Sequence, residues 1–476
     1  MIDLDHLANV RPSHRQYEWQ KLELYGFVHF GMNTMTGRQW GTGEEDADLF
    51  DPVDLDADQW AATLRSAGIR GLILTAKHHD GFCLWPSRHS EHTVAASPWR
   101  DGRGDVVGEV ADACARHGLR FGLYLSPWDR AEPTYGSGTA YDDVYVGQLV
   151  ELLTGYGDIF TVWLDGANGE GPNGKRQVYD WERYYRTIRA LQPDAVISVC
   201  GPDVRWCGNE AGQTRPDEWS VVPHALQDVE RIAERSQQVD DGAFSRTVRS
   251  DDRDLGSRTA LAALPARAGD LVWYPAEVNT SIRPGWFHHP DEQPRAAEEL
   301  FDIYQHSVGG NATLLLNVPP TRTGRIADGD REALAGLGRL VDGLRASALT
   351  RIDHVTFSSR PAPRAVLTTL DNDVGHWRPA DGDTRPWVEL TFGRQTLDGV
   401  VLKEQITVGQ RIEEVRILIG DGDAWHHVAT TGTVGYQRIV RFHPVAAERL
   451  RVEVVRSRLA PTLAAVVPLA ASPDKG

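Results

Sequence analysis

Four short stretches of the chain place ionisable or hydrogen-bonding side chains where chemistry can use them. The apolar run Gly71-Leu72-Ile73-Leu74-Thr75-Ala76 stops at Lys77-His78-His79-Asp80. The run Phe160-Thr161-Val162-Trp163-Leu164 stops at Asp165-Gly166. His29 follows the apolar segment Tyr25-Gly26-Phe27-Val28, and Glu210 closes the loop "GPDVRWCGNE", which also holds Asp203, Arg205 and Trp206. Three chemistries compete for such residues: a metal centre, a site that grips hydroxyl groups, or polar strand ends with no further role.

Histidines and an aspartate at strand ends are ligand types for zinc. Adjacent side chains on a strand point to opposite faces, so His78 and His79 do not both reach one ion without a bend. The expectation is therefore no metal and no cofactor. Hydroxyl recognition fits the residue types better. Neutral histidine and tyrosine supply donors and acceptors without a fixed charge. Tryptophan faces cover the apolar side of a sugar ring, and the chain has 15 tryptophans. Hydrolysis of a glycoside needs two carboxyl groups flanking the bond, one a nucleophile or base and the other an acid. Asp165, Glu210, Glu277 and Asp203 are the candidates in this region. Each residue also has a plainer explanation. Asp before Gly favours a turn, a loop glutamate is often just solvated, and a single tryptophan most often packs in a core. Alternation suggests that one of His78 and His79 faces a ligand and the other supports it from behind.

The segments that carry these residues follow one pattern. Eight short apolar runs, Tyr25–Gly31, Gly71–Ala76, Arg120–Ser126, Ile159–Asp165, Ala195–Gly201, Glu218–Val222, Leu271–Glu277 and Ala312–Val318, read as strands. Helix-period segments fit between many of them, including Asp58–Ala67 with Asp58 as its cap, Asp105–His117 ending at Gly118, Val144–Tyr156, Leu226–Ser236 and Arg295–Val308. Eight alternating units over about 340 residues predict a (β/α)8 TIM-like barrel, an α/β fold whose catalytic groups stand at the C-terminal ends of the strands. No glycine-rich phosphate loop follows the first strand, which disfavours a doubly wound sheet. After Ser347 the chain alternates apolar and polar residues between turns, which predicts an all-β sandwich of roughly 125 residues. The expected division is a catalytic barrel over residues 1–345 and an accessory β-sandwich over residues 346–476.

Composition narrows the partners. A formal charge of −17 argues against nucleic acid and against anionic membranes. A neutral ligand is compatible with it. The four cysteines form no CxxC pair, which suits a reducing compartment. No basic segment followed by an apolar stretch opens the chain, so the expectation is a cytoplasmic protein without a membrane span.

The stretches "FVHFGMNTMTGRQWG", "TAKHHDGFCLWPS", "YLSPWDR", "VWLDGANGEGPNG", "DVRWCGNE" and "SIRPGWFHH" together resemble the α-L-fucosidases of glycoside hydrolase family 29, over about Tyr17 to Pro320. They look closest to the branch that removes α-1,3- and α-1,4-linked fucose. The resemblance implies a retaining, exo-acting enzyme with a covalent fucosyl-enzyme intermediate and a fucosylated oligosaccharide as substrate. It implies Asp165 as nucleophile and Glu210, in the G-N-E motif after the fifth strand, as acid/base. It implies that His29, His78 and His79 hold sugar hydroxyls, that Trp40, Tyr124, Trp163 and Trp286 wall the pocket, and that Arg205 is a polar contact. The chain departs from the family in Val28 and Phe30 around His29, in Leu164 before the nucleophile and in His288, where tyrosine is common. Two other functions remain: a related glycosidase such as an α-L-galactosidase, which needs a polar wall around C6, and a non-catalytic carbohydrate-binding protein, whose mark is loss of a carboxylate.

Overall fold

The computed structural model describes residues 4–235, 254–262, 271–363, 367–370, 375–422 and 424–471. Eight parallel strands form the first unit: β1 (Leu24–Val28), β2 (Gly71–Lys77), β3 (Arg120–Leu125), β4 (Ile159–Leu164), β5 (Val196–Val199), β6 (Arg205–Trp206), β9 (Ala276–Ser281) and β10 (Thr313–Asn317). They are hydrogen-bonded in the order β5-β4-β3-β2-β1-β10-β9-β6. A parallel bridge between Ser198 and Val204 joins β5 to β6 and brings the sheet round on itself. The result is the expected TIM-like barrel with helices between the strands.

Two of the eight strands are not those expected from the sequence. Segments near Glu218–Val222 and Leu271–Glu277 instead form β7 (Val221–Pro223) and β8 (Leu271–Trp273), an antiparallel pair outside the barrel. The sixth barrel strand is the two-residue β6, and the seventh begins at Ala276, sharing only Ala276 and Glu277 with the expected strand. A two-residue strand has no periodicity to detect. Residues read as a loop, Arg205 and Trp206, are thus barrel residues, and Glu210 follows the sixth strand, not the fifth.

The helices follow local signals. Val106–His117 starts at Asp105, whose carboxylate accepts the Gly108 N–H at 2.9 Å, and stops at Gly118 with φ of 66°. The helix expected from Asp58 runs over Ala57–Ser66 and is capped by Asp56 instead, which accepts from Gln59 N at 2.9 Å. Asp58 pairs with Arg116 at 2.8 Å on the neighbouring helix. The helix after β7 spans Val229–Arg235, and Ser236, its expected end, lies outside the described residues.

The barrel interior is layered. Alternate residues of a strand share a face, so Tyr25, Phe27 and His29 climb the inside from β1, and Thr161, Trp163 and Asp165 climb it from β4. Tyr25 packs edge-on to Phe160 with ring centroids 5.7 Å apart, because a register shift against β3 breaks the alternation at the start of β4 and turns Phe160 inward as well. One layer higher, Phe27 meets Trp163 at 5.4 Å and Tyr124 at 5.7 Å. His29 and Asp165 cap this aromatic plug at the C-terminal mouth.

After the helix Asp328–Ala346, one antiparallel ladder in the order β11-β12-β15-β13-β14, with β16 on β12, forms the second unit. Its strands are β11 (His354–Phe357), β12 (Trp387–Glu404), β13 (Ile412–Asp421), β14 (Ala424–Thr431), β15 (Arg438–Ser457) and β16 (Leu463–Ala470). Register shifts between Thr391 and Gln395, and between Leu397 and Gly399, bend the long strand β12. Both halves of the folded ladder then face one core of Val388, Leu390, Leu402, Ile417 and Val452, a β-sandwich. The buried Glu23, below β1, binds the unit to the barrel through Lys403 at 3.4 Å and the Tyr436 hydroxyl at 3.3 Å.

Candidate active site

One cavity at the barrel mouth is lined by Phe27, His29, Trp40, His78, His79, Tyr124, Trp163, Asp165, Ala167, Val199, Trp206, Glu210, Asn279 and Trp286. It collects Asp165 and Glu210, all three histidines and the four proposed walls Trp40, Tyr124, Trp163 and Trp286.

Both histidines of the pair line the cavity, contrary to the alternation argument. Strand β2 ends at Lys77, and His78 and His79 leave it in a turn, so the two-residue period no longer applies. Their rings lie 4.2 Å apart. The neighbours in this run are structural. Lys77 is buried and pairs with Asp129 at 2.7 Å and Gln148 at 2.8 Å. Asp80 holds the turn by accepting Phe82 N at 2.8 Å, and burial pushes its pKa up to about 7. Gly81 has φ of 83°, and a Cβ there would sit 2.4 Å from Asp129 Oδ1, so only glycine fits.

The two carboxyl groups have opposite surroundings. Asp165 accepts the Tyr124 hydroxyl on Oδ2 at 2.9 Å and the Ala167 N–H on Oδ1 at 2.9 Å. The second bond is the turn cap that the Asp-Gly pair suggested; the first turns the other oxygen toward the cavity. Glu210 is half-buried, and its shielded Oε2 has no hydrogen-bond partner among the described residues. Desolvation pushes the Glu210 pKa well above the ordinary carboxyl range, and the negative charge of Asp165 adds to this, with the Trp286 side chain opposing. Burial and the Asp165 charge both favour the protonated form.

The histidines are neutral. Burial drives His29 down to about 3 and His79 down to about 4, with Asp165 opposing the latter. Burial also takes His78 well below the usual imidazole range, with His79 and His29 contributing. His78, Tyr124 and Trp163 stack in sequence, with centroids 5.6 Å and 5.4 Å apart. Among the described residues no group of three or more histidine, cysteine or acidic side chains is arranged to hold a metal ion.

Three residues proposed from the sequence lie away from the cavity. Glu277 sits two residues deeper on β9 than the cavity-lining Asn279 and is fully buried. It accepts the Trp163 indole N–H at 2.8 Å and the Tyr25 hydroxyl, and burial raises its pKa to about 7. Asp203 is taken by Arg189 and by the Ile197 N–H at 2.8 Å. Arg205 pairs with the buried Glu218 and donates to the Tyr274 carbonyl at 3.0 Å. Conversely, Phe27, Ala167, Val199, Trp206 and Asn279 line the cavity without having been assigned to it. Trp206 donates to Asn279 Oδ1 at 2.9 Å. Asn317 supports His29 from behind at 2.9 Å. A polar residue ending the apolar run Thr313–Leu316 was a signal for it of the same kind as His78. Val199 gave none, yet this β-branched residue holds φ of 68° at the cavity wall, strain of a sort that collects at functional sites.

An α-L-fucosidase family profile matches residues 8–343. The Arabidopsis thaliana protein α-L-fucosidase 1 is 38% identical over 466 residues, covering 95% of this chain and 86% of its own. The crystal structure of SpGH29 superposes with a TM-score of 0.84 at 32% identity, covering 98% of this chain and 99% of that one. A Ruminococcus gnavus GH29 fucosidase solved in complex with fucose gives a TM-score of 0.82 at 29% identity, with 98% and 96% coverage. The chain belongs to the α-L-fucosidases of glycoside hydrolase family 29 and is a hydrolase of fucosylated substrates.

Proposed function

We propose that the protein is a retaining, exo-acting α-L-fucosidase that removes α-1,3/1,4-linked fucose from branched, Lewis-type glycans. The observation that carries the mechanism is the contrast between the two cavity carboxyls. Asp165 is held by two donors and faces the cavity, as a nucleophile must. Glu210 is desolvated, which favours the protonated form that a general acid must have. Asp165 attacks the anomeric carbon as Glu210 protonates the departing oxygen. Glu210 then takes a proton from water, which displaces Asp165 and restores the starting anomeric configuration. The neutral histidines serve the sugar hydroxyls, and Phe27, Ala167 and Val199 give apolar surface suited to the methyl group of a 6-deoxy sugar.

The branch assignment rests on the resemblance of the six stretches taken together, and the role of Glu210 in the G-N-E motif follows from it. In this reading residues 1–345 are the catalytic unit, residues 346–476 are accessory, and the enzyme works in the cytoplasm on imported oligosaccharides. The test is fucose release from an aryl α-L-fucoside, an α-1,2-fucosyllactose and a branched Lewis-type trisaccharide, by wild type and by Asp165→Ala. Release from the trisaccharide that the substitution abolishes supports reaction and linkage together. Release from only the other two overturns the linkage, and β-fucose as first product in an anomeric proton NMR time course overturns retention.

A further inference from the structure

Each cavity histidine presents its Nδ1 to a neighbour whose other hydrogen bonds fix what that neighbour can be. Asn317 Nδ2 donates to the Trp286 carbonyl at 2.8 Å. A carbonyl only accepts, so that end of the amide is the NH2 group and Oδ1 is the acceptor. Oδ1 also receives the backbone N–H of His29 at 3.3 Å. The His29 Nδ1, 2.9 Å from this oxygen, is therefore the nitrogen that carries the proton. Asn33 works the other way. Its Nδ2 donates to the Gln39 carbonyl at 3.2 Å, and the same NH2 group faces His78 Nδ1 at 3.2 Å. His78 Nδ1 accepts, so its proton sits on Nε2. Ser126 has one proton and sends it to the Trp128 carbonyl at 2.6 Å. Its oxygen accepts from His79 Nδ1 at 2.7 Å, which leaves the lone pair of His79 on Nε2, 3.7 Å from Asp165 Oδ2.

We infer that Asn317, Asn33 and Ser126 are positioning residues that lock His29 and His79 as Nδ1–H tautomers and His78 as the Nε2–H tautomer, so that the cavity offers a bound sugar one ring N–H donor and two ring-nitrogen acceptors. With each ring neutral at pH 7, the tautomer is the one freedom left to it, and the supporting residue removes that freedom. Two hydroxyls of the ligand must then donate, to His29 and His79, and one must accept, from His78. A cavity that reads hydroxyls by the direction of their protons rejects an ether or a fluorine at two positions and tolerates it at the third. A lone pair on His79 beside the carboxylate of Asp165 also makes this corner a place for a donor, the role a sugar hydroxyl fills. The identity of the ligand rests on the fucosidase reading above; the tautomers do not.

Long-range proton–nitrogen NMR on the full chain, labelled at histidine, reads the tautomers directly. Single His→Gln variants at 29, 78 and 79 assign the signals. The expected pattern at pH 7 is Nδ1–H for His29 and His79 and Nε2–H for His78. The opposite tautomer, or a rapid average of both, at any of the three overturns the inference. Ser126→Ala, which removes one oxygen atom and no bulk, should convert the His79 pattern to an average and lower kcat/KM on an aryl fucoside at least tenfold. Ser126→Thr, which restores the hydroxyl, should recover both. An unchanged His79 tautomer in Ser126→Ala would show that Ser126 does not lock it. If the tautomers hold but the wild type releases no fucose, the functional reading fails and the lock stands.

Discussion

The hydroxyl of Tyr124 lies 2.9 Å from Oδ2 of Asp165 and is that oxygen's hydrogen-bond donor. Tyr124 is itself held between the rings of His78 and Trp163. A hydrogen bond to a charged group is worth about 1.5–3 kcal/mol, or roughly 10- to 150-fold in a rate that depends on it. Tyr124→Phe keeps the stacked ring and removes only the donor. It should lower kcat/KM on an aryl α-L-fucoside by about 10- to 100-fold with little change in melting temperature. A kcat/KM within threefold of wild type would mean that the bond does not orient the carboxylate.

Glu210 gives two pH effects of definite sign. As the acid it must be protonated, so activity falls as pH rises through its raised pKa. For stability, a carboxyl whose folded pKa lies above its unfolded value contributes fully at pH below the ordinary carboxyl range. That contribution disappears as pH rises through the folded value. Glu210→Gln cannot ionise. It should melt at a higher temperature than wild type at pH 8, the difference vanishing near pH 4, while release from a trisaccharide drops by about 10²- to 10⁴-fold. Equal melting temperatures at pH 8 would place an ionised, solvated carboxylate at 210.

Glu277, fully buried, and Glu210, half-buried, both have raised pKa values, yet they do different work. Glu277 accepts from Trp163 and Tyr25 beneath the cavity floor. Glu277→Ala leaves the buried Trp163 N–H without a partner, about 1–3 kcal/mol, and leaves the Tyr25 hydroxyl only Thr313 Oγ1, at 3.3 Å, to donate to, so the protein loses stability. Azide should restore turnover of an aryl fucoside to Glu210→Ala, because the anion replaces the water that a base would activate. It should do nothing for Glu277→Ala. Rescue at 277 would reverse the two assignments.

The contrast shows what the chain reveals by itself. The strand ends β2 and β4 announce themselves because an apolar run breaks at charged residues, so His78, His79 and Asp165 are legible. The histidine of β1 is legible for the same reason. Depth within the barrel is not: Glu277 and Asn279 share a face of one strand, and only the position of the strand's start decides which reaches the mouth. Strand β6 hides because two residues carry no period, which put Arg205 in a loop and its guanidinium beside a sugar. The supporting residues Asn33, Ser126 and Asn317 meet the histidines across the fold, from 45, 47 and 288 positions away. Such pairings follow from strand order, which no local pattern encodes.

Arg205 tests that misplacement. Its guanidinium is 4% exposed as a residue and pairs with Glu218, itself fully buried. Breaking a buried pair from one side costs about 3–5 kcal/mol when the other charge is left alone. Glu218 keeps Arg215 at 3.3 Å, so the loss here is smaller, about 1–3 kcal/mol. Arg205→Met should therefore lower stability by about that amount in urea unfolding, while KM of the folded fraction stays within twofold. A large rise in KM with unchanged stability would return Arg205 to the cavity.

Gly81 joins the histidine turn to the ion pair behind it. Gly81→Ala meets two costs. The left-handed backbone costs an alanine about 1–2 kcal/mol. The new Cβ also falls 2.4 Å from Asp129 Oδ1, the carboxylate that pairs with Lys77. Asp129 must move, and Lys77 is then buried with the neutral Gln148 as its remaining hydrogen-bond partner, about 3–5 kcal/mol more. In the background of Asp129→Ala the obstructing oxygen is gone and the Ala131 Cβ, 2.8 Å away, still crowds the new side chain, so Gly81→Ala there should cost the backbone share and that contact but not the ion pair. The two substitutions should therefore be non-additive by about 2 kcal/mol or more in a double-mutant cycle. Additivity within about 0.5 kcal/mol would show that Gly81 is needed only for its backbone and the room beside Ala131, and that the turn carrying His78 and His79 does not depend on the room left for Asp129.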